Sequence, residues 1–593
     1  MPDKRSLFIS LSCLLFISFL LAFFNCAEAS GAETEYEVLS PWADVDPVIP
    51  QGLQPRLDDL NGKTIGLYYH FKDGCRAVLE EIEAKLKPIY PDAKFTYYQY
   101  PVDLAEIIDD ETYLPGFKEW LDGVDAVITS MGDAGSCCLY VAYNSAGIEK
   151  LGKPTVMLLY DSFSNMYERG IKARGVPGLR AVIWPESEGQ GYQRGGASEG
   201  TVTPERLDEI IKGLTAPLTA EEKNPSYEPK EPKRIVFKGD IKEVNNFFYQ
   251  NGWTNGIPII PPTEEAVNEM LTGTDLPRDY VVAKLPPLQG KATVEKIAIN
   301  AVMTGCLPTY MPVLIAMVKG MVDPRVHLEA WTCSTACFMP LITISGQVGD
   351  DLGFNQGKNM LSPYYKPQKA IPNAYSFIVM NIAGVRSKKE DSCGTGHLFR
   401  FGVCIAEDTS SAWGPLHTDY GIDKDDSAVT MFWPSGHESG GFGMGRDVGD
   451  ILNGFYNFSY NNGFFPGAEW LVDTRTAQRL SDEGWSRRDV IEYIVEYFRR
   501  PASEADVERM ISNNHFPKNV QEGKLKLPEH PDHSTRVFWD DEHMVIAVTG
   551  VSGGVFPGGG MHGGPSVTKI DLPANWDKLV NKYKDIVPTY ADY

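Results

Sequence analysis

Short apolar runs alternate with amphipathic stretches between Asn61 and Leu218, and this alternation is the clearest pattern in the chain. The apolar runs have the length of buried strands. They are Thr64–Tyr69, Phe95–Tyr100, Asp125–Ser130, Thr155–Tyr160 and Arg180–Trp184. The stretches between them predict helices that begin near Gly74, Leu114, Cys137, Asp161 and Pro204. Strands that alternate with helices in this way predict a doubly wound parallel sheet, an α/β domain over residues 55–219.

The rest of the chain has a different pattern. Residues 220–234 are charged and rich in proline, which is typical of a linker. Beyond them, helical patterns cover Val294–Met303, Pro312–Val322 and Arg487–Arg499. Strand-like runs separated by glycine-rich loops cover Leu341–Ser345, Ser376–Ile382 and Phe401–Ala406, and a strand–loop–strand covers Val545–Leu572. Residues 235–593 are therefore predicted to form a larger α+β domain.

The charge composition of the chain argues against some classes of binding partner. The 593 residues are 43% hydrophobic and 23% charged, which is ordinary for globular domains. Lys and Arg number 55 against 79 Asp and Glu, which gives a net charge of −24. So acidic a chain argues against nucleic acid or an anionic membrane as its main partner. We expect a small-molecule substrate from the candidate chemistry described below, with a redox partner protein as a further candidate.

The N-terminus is typical of a targeting segment. Lys4 and Arg5 precede an apolar run from Leu7 to Phe24, and Ala27-Glu28-Ala29 offers small residues for cleavage. We expect residues 1–29 to be a signal peptide, cleaved near Ala29, and the protein to be periplasmic or extracellular. An uncleaved membrane anchor over residues 7–24 and a lipid on Cys26 are the alternatives. No later stretch is apolar enough to span a membrane.

Polar and thiol side chains follow the predicted strands, at the edge where ligands of doubly wound sheets bind. They are His70, Asp133, Asp161, Ser162 and Glu186. Cys137 and Cys138 lie where a strand turns into a helix, so free N–H groups and the positive end of the helix dipole favour a thiolate there. Cys75 stands at the start of the first predicted helix. The pattern predicts thiol chemistry at this edge of the sheet.

Two short motifs in this region carry a resemblance. The turn Ala134-Gly135-Ser136-Cys137 and the entry Gly152-Lys153-Pro154-Thr155 resemble the UGSC family of thiol and selenol proteins. The family layout is similar to that of the selenoprotein B subunit of glycine and betaine reductases. This resemblance implies a flavodoxin-like fold and reductive cleavage of a carbon–heteroatom bond. Ala134 departs from the family, since it stands where the family has its selenocysteine or first cysteine.

The second domain also contains candidate chemistry. Segments around Gly252–Pro258, Glu295–Met303 and Gly305–Pro308 resemble domains that accompany UGSC-like proteins. Cys333 and Cys337 are four residues apart and would share one face of a helix. A soft metal, disulfides, a thiol-lined substrate pocket or plain burial are the alternatives for these two cysteines together with Cys306, Cys393, His417 and His437. The glycine-rich stretch from Gly550 to Gly564 lacks the helix that a dinucleotide site needs, although His562 within it offers proton transfer.

The leading hypothesis is an exported thiol-dependent oxidoreductase that cleaves a carbon–heteroatom bond of a small substrate. Cys137 is its nucleophile or electron donor, and Cys138 or Cys75 is the neighbouring thiol. Asp133 or His70 handles protons, while Gly135 and Ser136 supply backbone N–H groups to a developing anion.

The same hypothesis assigns the remaining candidates around the substrate. Asp161, Ser162 and His562 are assigned to substrate binding, and the residues expected to cover the crevice are Cys306, Cys333, Cys337 and His417. The sequence identifies no cofactor and predicts no metal ligand in the leading hypothesis.

Two further hypotheses use the same residues differently. In the first, the crevice resembles the aspartate/glutamate racemase and maleate isomerase folds, in which paired cysteines move protons or add to double bonds without a cofactor. Cys75 is then the partner of Cys137 across the crevice. In the second, the protein is not an enzyme and binds a metal through the cysteines and histidines of the second domain.

Overall fold

The computed structural model describes residues 34–588, apart from residues 71–72, 101, 103–104, 186–200, 227–232, 363, 399, 440–446, 461–466, 502–533, 537–540, 552–553 and 559–562. The predicted signal peptide, Glu186 and His562 lie outside the described residues. Among the described helices, none is long and apolar enough to cross a membrane.

The N-terminal domain has the predicted order of strands and helices. Its strands are β1 (Tyr36–Leu39), β2 (Thr64–His70), β3 (Lys94–Tyr100), β4 (Ala126–Gly132), β5 (Thr155–Tyr160) and β6 (Arg180–Trp184). Its helices are α1 (Asp73–Leu86), α2 (Leu114–Asp122), α3 (Gly135–Lys150), α4 (Ser164–Ala173) and α5 (Pro204–Thr215), with 3₁₀ turns at Ile107–Asp109 and Asp161–Phe163. The five predicted strands are confirmed, each within two residues at its ends.

The five parallel strands form one sheet in the order β3-β2-β4-β5-β6. Side chains alternate across it: Leu67 of β2 packs in the same cluster as Leu79 of α1, whereas Tyr68 packs against Phe117 of α2. Helices therefore cover both faces, which confirms the doubly wound, flavodoxin-like architecture. The direction of strand succession reverses between β2 and β4. Such a switch point opens a crevice at the carboxyl ends of these two strands.

The segment that contains β1 packs against the second region. Tyr36 pairs with Gly239 in an antiparallel ladder with β7 (Ile235–Gly239). Lys296 Nζ donates a hydrogen bond to the Ser40 carbonyl at 2.9 Å. One continuous apolar cluster holds both Ile65 of the first sheet and Ile297 of the second region, so the two regions share a core.

The second region, beyond α6 (Ala220–Lys223), mixes helices and short strands. Its helices are α7 (Ile241–Gln250), α8 (Glu264–Leu271), α9 (Val294–Met303), α10 (Met311–Gly320), α11 (Leu328–Cys333), α12 (Val348–Asp351), α13 (Lys366–Asn381), α14 (Val448–Tyr460), α15 (Thr474–Asp482), α16 (Arg487–Tyr497) and α17 (Trp576–Tyr583). Its strands after β7 are β8 (Val281–Leu285), β9 (Gly290–Thr293), β10 (Leu341–Ser345), β11 (Val403–Ala406), β12 (Ala428–Phe432), β13 (Glu438–Ser439), β14 (Ala468–Asp473), β15 (Arg499–Pro501), β16 (Ser534–Arg536), β17 (Met544–Thr549), β18 (Gly554–Pro557) and β19 (Ser566–Lys569). The two larger sheets have the orders β11-β10-β12-β19 and β13-β18-β14-β17.

One predicted strand of this region is wrong. Ser376–Ile382 is apolar enough to suggest a strand, but most of it forms the end of helix α13. The buried positions Ile371, Ala374 and Ile378 recur every three or four residues, as they do on the inner face of a helix. A short apolar run cannot distinguish a buried helix from a strand, because both faces of either element are then apolar.

Candidate functional site

Three side chains of the types that bind metals or act as nucleophiles lie together at the switch point. His70 is the last residue of β2, Cys75 lies in the first turn of α1, and Asp133 follows β4 directly. They are 7%, 2% and 3% exposed, respectively. One ring nitrogen of His70, the Cys75 Sγ and one Asp133 carboxylate oxygen all lie within 4.8 Å of one another. We call these three residues the switch-point cluster.

The end of β4 holds this cluster in place. The Met131 carbonyl oxygen lies 3.3 Å from His70 Nε2 and accepts its hydrogen when that nitrogen is protonated. Ser130 Oγ donates to the Cys75 carbonyl oxygen at 2.9 Å. Cys75 Sγ in turn lies 3.8 Å from His70 Nε2. These contacts join the ends of two neighbouring strands and the first turn of a helix into one polar group.

Helix α3 begins beside the cluster. Its N-cap is Ala134, which has no side-chain oxygen to accept the N–H groups of the first turn. Cys137 is the third residue of the helix and is partly exposed, whereas Ser136 is buried. The Cys137 side chain thus stands in the first turn, where the helix dipole stabilises negative charge most strongly.

Cys138, the adjacent thiol, is directed into the core. It is 0% exposed and donates its S–H to the Phe163 carbonyl oxygen at 3.5 Å. A Cβ on Gly132 would lie 2.6 Å from its sulfur, so β4 and α3 pack closely here. Burial raises the pKa of Cys138 well above its ordinary value, and the Asp133 charge adds to this effect. The geometry favours a packing role for Cys138 over the predicted catalytic one.

The second region covers the start of α3. A Cβ on Gly135 would lie 1.9 Å from the Cys333 carbonyl oxygen and 2.5 Å from Ser392 Oγ, so the two regions touch at this glycine. Further along α3, Tyr140 packs in one cluster with Ala330 of α11. At this glycine the second region contacts α3 through the Cys333 backbone and through Ser392, a residue that no sequence pattern singled out.

A disulfide joins the two covering segments. Cys337 and Cys393 are bonded, with their Cα atoms 5.1 Å apart. The prediction that Cys333 and Cys337 share a helical face is wrong, because α11 ends at Cys333 and the next residue, Ser334, is extended. Backbone geometry thus separates the pair, and Cys337 is bonded to a cysteine 56 residues away in sequence.

The other predicted residues of the second region lie in its interior. Cys306 is buried beside Thr304, and burial raises the pKa of its thiol to about 12. His417 is enclosed between Ser345 Oγ, 2.8 Å from its Nδ1, and the Asp423 carbonyl oxygen, 3.0 Å from its Nε2. Both residues therefore have local partners in the second region. The disulfide also removes Cys337 and Cys393 from the predicted set of metal ligands.

The remaining predicted binding residues follow β5. Asp161 and Ser162 lie in a 3₁₀ turn at the same edge of the sheet as the cluster, and both are exposed. Among the described residues, the switch-point cluster is the one group of three or more Cys, His, Asp or Glu side chains with the spacing of metal ligands.

Comparison with known families supports the predicted resemblance. Residues 37–189, about a quarter of the chain, match the UGSC family. This stretch includes the switch-point cluster, the Ala134–Cys137 turn and the entry to β5. The N-terminal domain is therefore UGSC-like. No curated protein and no solved structure matches the chain.

Proposed function

We propose that this protein, through its UGSC-like domain, is a thiol-dependent enzyme that acts on a small molecule at the switch point of the sheet. Cys137 is the reacting thiol, and the side chains of the switch-point cluster polarise the substrate or move its protons. The observation that carries the proposal is the meeting of His70, Cys75 and Asp133 beside the helix turn that presents Cys137.

Cys137 is the proposed reacting thiol because it is more exposed than the other thiols. Besides the disulfide-bonded Cys337 and Cys393, the structure describes six cysteines, of which Cys137 is partly exposed and the other five are buried. Burial raises the pKa of Cys333 and Cys404 above the ordinary range, as it does for Cys138 and Cys306. Because the thiolate is the nucleophile, those four thiols are poor nucleophiles at neutral pH.

The first candidate reaction is reductive cleavage of a carbon–heteroatom bond, the chemistry that resemblance to selenoprotein B suggests. In this reaction the carbon–heteroatom bond breaks, the carbon gains a hydrogen and the heteroatom group leaves with a proton. Cys137 and a second thiol are oxidised to a disulfide, so each turnover needs an external dithiol that reduces this bond. The Cys337–Cys393 disulfide agrees with the expected export, since such bonds persist in oxidising compartments.

The second candidate reaction is a racemisation, isomerisation or elimination that needs no electron donor. It is favoured by Ala134, which leaves the family turn without its first thiol, and by the 3.8 Å approach of Cys75 to His70. A thiol and an imidazole at this distance can act together as the acid and the base that move a substrate proton.

A turnover screen with and without a dithiol tests both candidates. Small carboxylates and amines with a heteroatom on the α-carbon are offered to the wild type, and adducts on cysteine are located by mass spectrometry. We expect an adduct on Cys137 and turnover that falls by about 10³-fold in Cys137→Ser, in line with the loss of a covalent catalyst. Dependence on the dithiol supports reductive cleavage, and its absence supports the second candidate.

Cys138→Ser is the matched control, because it changes the neighbouring thiol without changing the part-exposed one. Turnover that survives unchanged in Cys137→Ser would refute the proposal.

A further inference from the structure

We infer that His70, Cys75 and Asp133 bind a divalent transition-metal ion of the zinc class, with a fourth coordination position open to a small ligand. This inference deepens the proposed function, on which its catalytic meaning rests: the ion would lie beside the Cys137 turn and polarise the substrate, with His70 and Cys75 as its ligands and not as a proton-moving pair. Metal binding itself can be measured without turnover.

The donor set points to this class of ion. An imidazole nitrogen, a thiolate sulfur and a carboxylate oxygen are the three kinds of ligand that zinc takes in proteins. The thiolate and imidazole favour Zn²⁺ or Co²⁺ over Mg²⁺ and Ca²⁺, which prefer all-oxygen sites. Three protein ligands and one open position are typical of catalytic zinc sites, whereas structural sites use four protein ligands.

The spacing is compatible with one ion. Ligand atoms bound about 2.0–2.3 Å from a tetrahedral metal lie roughly 3–4 Å from one another. The three donor atoms already lie within 4.8 Å of one another, so side-chain shifts on the order of an ångström close the site. The three residues come from β2, α1 and the turn after β4, which the shared core holds together.

Charge and second-shell contacts also fit. A thiolate and a carboxylate would place two negative charges where Cys75 is 2% and Asp133 is 3% exposed. A divalent ion bound by both groups would neutralise these two charges. The Met131 carbonyl lies beside His70 Nε2; a hydrogen bond from that nitrogen would orient the ring and leave Nδ1 to bind the ion, as second-shell acceptors do for metal-binding histidines.

Metal titration of the full chain tests the inference. The protein is dialysed against a chelator with a reductant, the chelator is removed, and Co²⁺ and then Zn²⁺ are titrated against a chromophoric competitor. We expect one ion per chain and a thiolate-to-cobalt charge-transfer band. Cys75→Ser should abolish the band, and His70→Gln and Asp133→Asn should weaken binding by more than about 100-fold, since even second-shell losses cost 10–100-fold.

Two thiol variants are the controls. Cys138→Ser and Cys404→Ser remove buried sulfurs outside the cluster and should retain both the band and the affinity. X-ray absorption of the zinc-loaded wild type gives a readout that needs no variant, and we expect one sulfur and otherwise nitrogen or oxygen neighbours. Failure to retain stoichiometric metal, or a zinc shell without sulfur, would overturn the inference.

Different results would refute the metal site and the thiol enzyme. A chain without metal in which Cys137→Ser still abolishes turnover refutes the metal site alone. A chain that binds zinc through Cys75 but keeps full turnover in Cys137→Ser refutes the thiol enzyme alone.

Discussion

At the scale of single residues, two adjacent cysteines have opposite environments. Cys137 is partly exposed in the first turn of α3, whereas Cys138 is 0% exposed and hydrogen-bonded to the Phe163 carbonyl. Successive residues on a helix point about 100° apart, so a helix that packs on a sheet separates them. The sequence identifies both thiols as candidates, and burial decides which of them meets solvent.

Burial also decides the protonation state of Glu469. It lies in β14, is 0% exposed, and accepts a hydrogen bond from Thr343 Oγ1 of β10 at 2.6 Å. Burial raises the pKa of Glu469 from 4.5 to about 8, and the nearby Glu407 carboxyl adds to this effect. We therefore expect a protonated Glu469 at neutral pH.

Replacing Glu469 with Gln tests this expectation. Because the pKa of Glu469 is higher in the folded chain than in the unfolded one, folding takes up a proton between about pH 4.5 and 8. The stability that this proton contributes is complete below that window and is lost as the pH rises through it. At about 1.4 kcal/mol per pKa unit, the loss is on the order of a few kcal/mol.

The measurement is the urea midpoint of wild type, Glu469→Gln and the exposed control Glu265→Gln at about pH 5 and about pH 8. The advantage of Glu469→Gln over wild type should grow with pH, and Glu265→Gln should follow wild type. Equal pH dependence in all three proteins would contradict a raised pKa for Glu469.

At the scale of secondary-structure elements, the start of α3 decides how the two regions fit. Its first residue, Gly135, faces the Cys333 carbonyl at a distance that leaves no room for a side chain. Position 135 of this chain therefore needs glycine for packing. This close approach brings the second region over the Cys137 turn.

Gly135→Ala should separate the two regions at this point. The new Cβ would lie 1.9 Å from a backbone oxygen, which cannot move without its chain segment, so we expect a loss of about 1–3 kcal/mol. Gly116→Ala in α2 is the matched control, since its Cβ meets nothing within 4 Å. That change should be neutral or stabilise by about 0.5–1 kcal/mol.

Thermal unfolding of the two alanine variants, followed by circular dichroism, measures this difference. If both unfold at the wild-type temperature, the contact at Gly135 is not a close one in solution.

At the scale of the whole molecule, the disulfide Cys337–Cys393 ties together the two segments that cover α3. One segment follows α11, and the other contains Ser392 and continues into exposed residues such as Leu398. The bond joins two cysteines 56 residues apart and so restricts the unfolded chain. In the folded chain it holds the two segments that cover α3 together. The net charge of −24 leaves the surface acidic around this architecture.

Reduction of this bond should loosen the cover. We expect Cys337→Ser to lower stability by about 2–4 kcal/mol and to speed proteolysis between residues 393 and 398, because the loop loses its tether. Limited proteolysis with and without a reductant measures the effect. The double variant Cys337→Ser/Cys393→Ser is the control, and its cleavage should not respond to the reductant. Faster cleavage of the double variant on reduction would show that another bond is responsible.

The sequence by itself determined the N-terminal domain. Each of its five parallel strands is a continuous apolar run, because both faces of such a sheet are buried, and this leaves an unambiguous pattern. The same pattern placed His70, Asp133 and the Cys137 turn at one edge of the sheet. In the second region the pattern failed at Ser376–Ile382, since a fully buried helix and a strand have the same apolar signature.

Only the tertiary structure decided what these residues form together. The strand order brings β2 beside β4, and that neighbourhood unites His70 and Cys75 with Asp133, which is 58 positions beyond Cys75 in the chain. The packing of the second region pairs Cys337 with Cys393 and sets the Cys333 carbonyl against Gly135. Periodicity reports which face of an element is buried, but contacts between distant segments depend on how whole elements pack. The thiol-bearing turn can be found in the sequence, and the cluster beside it exists only in the fold.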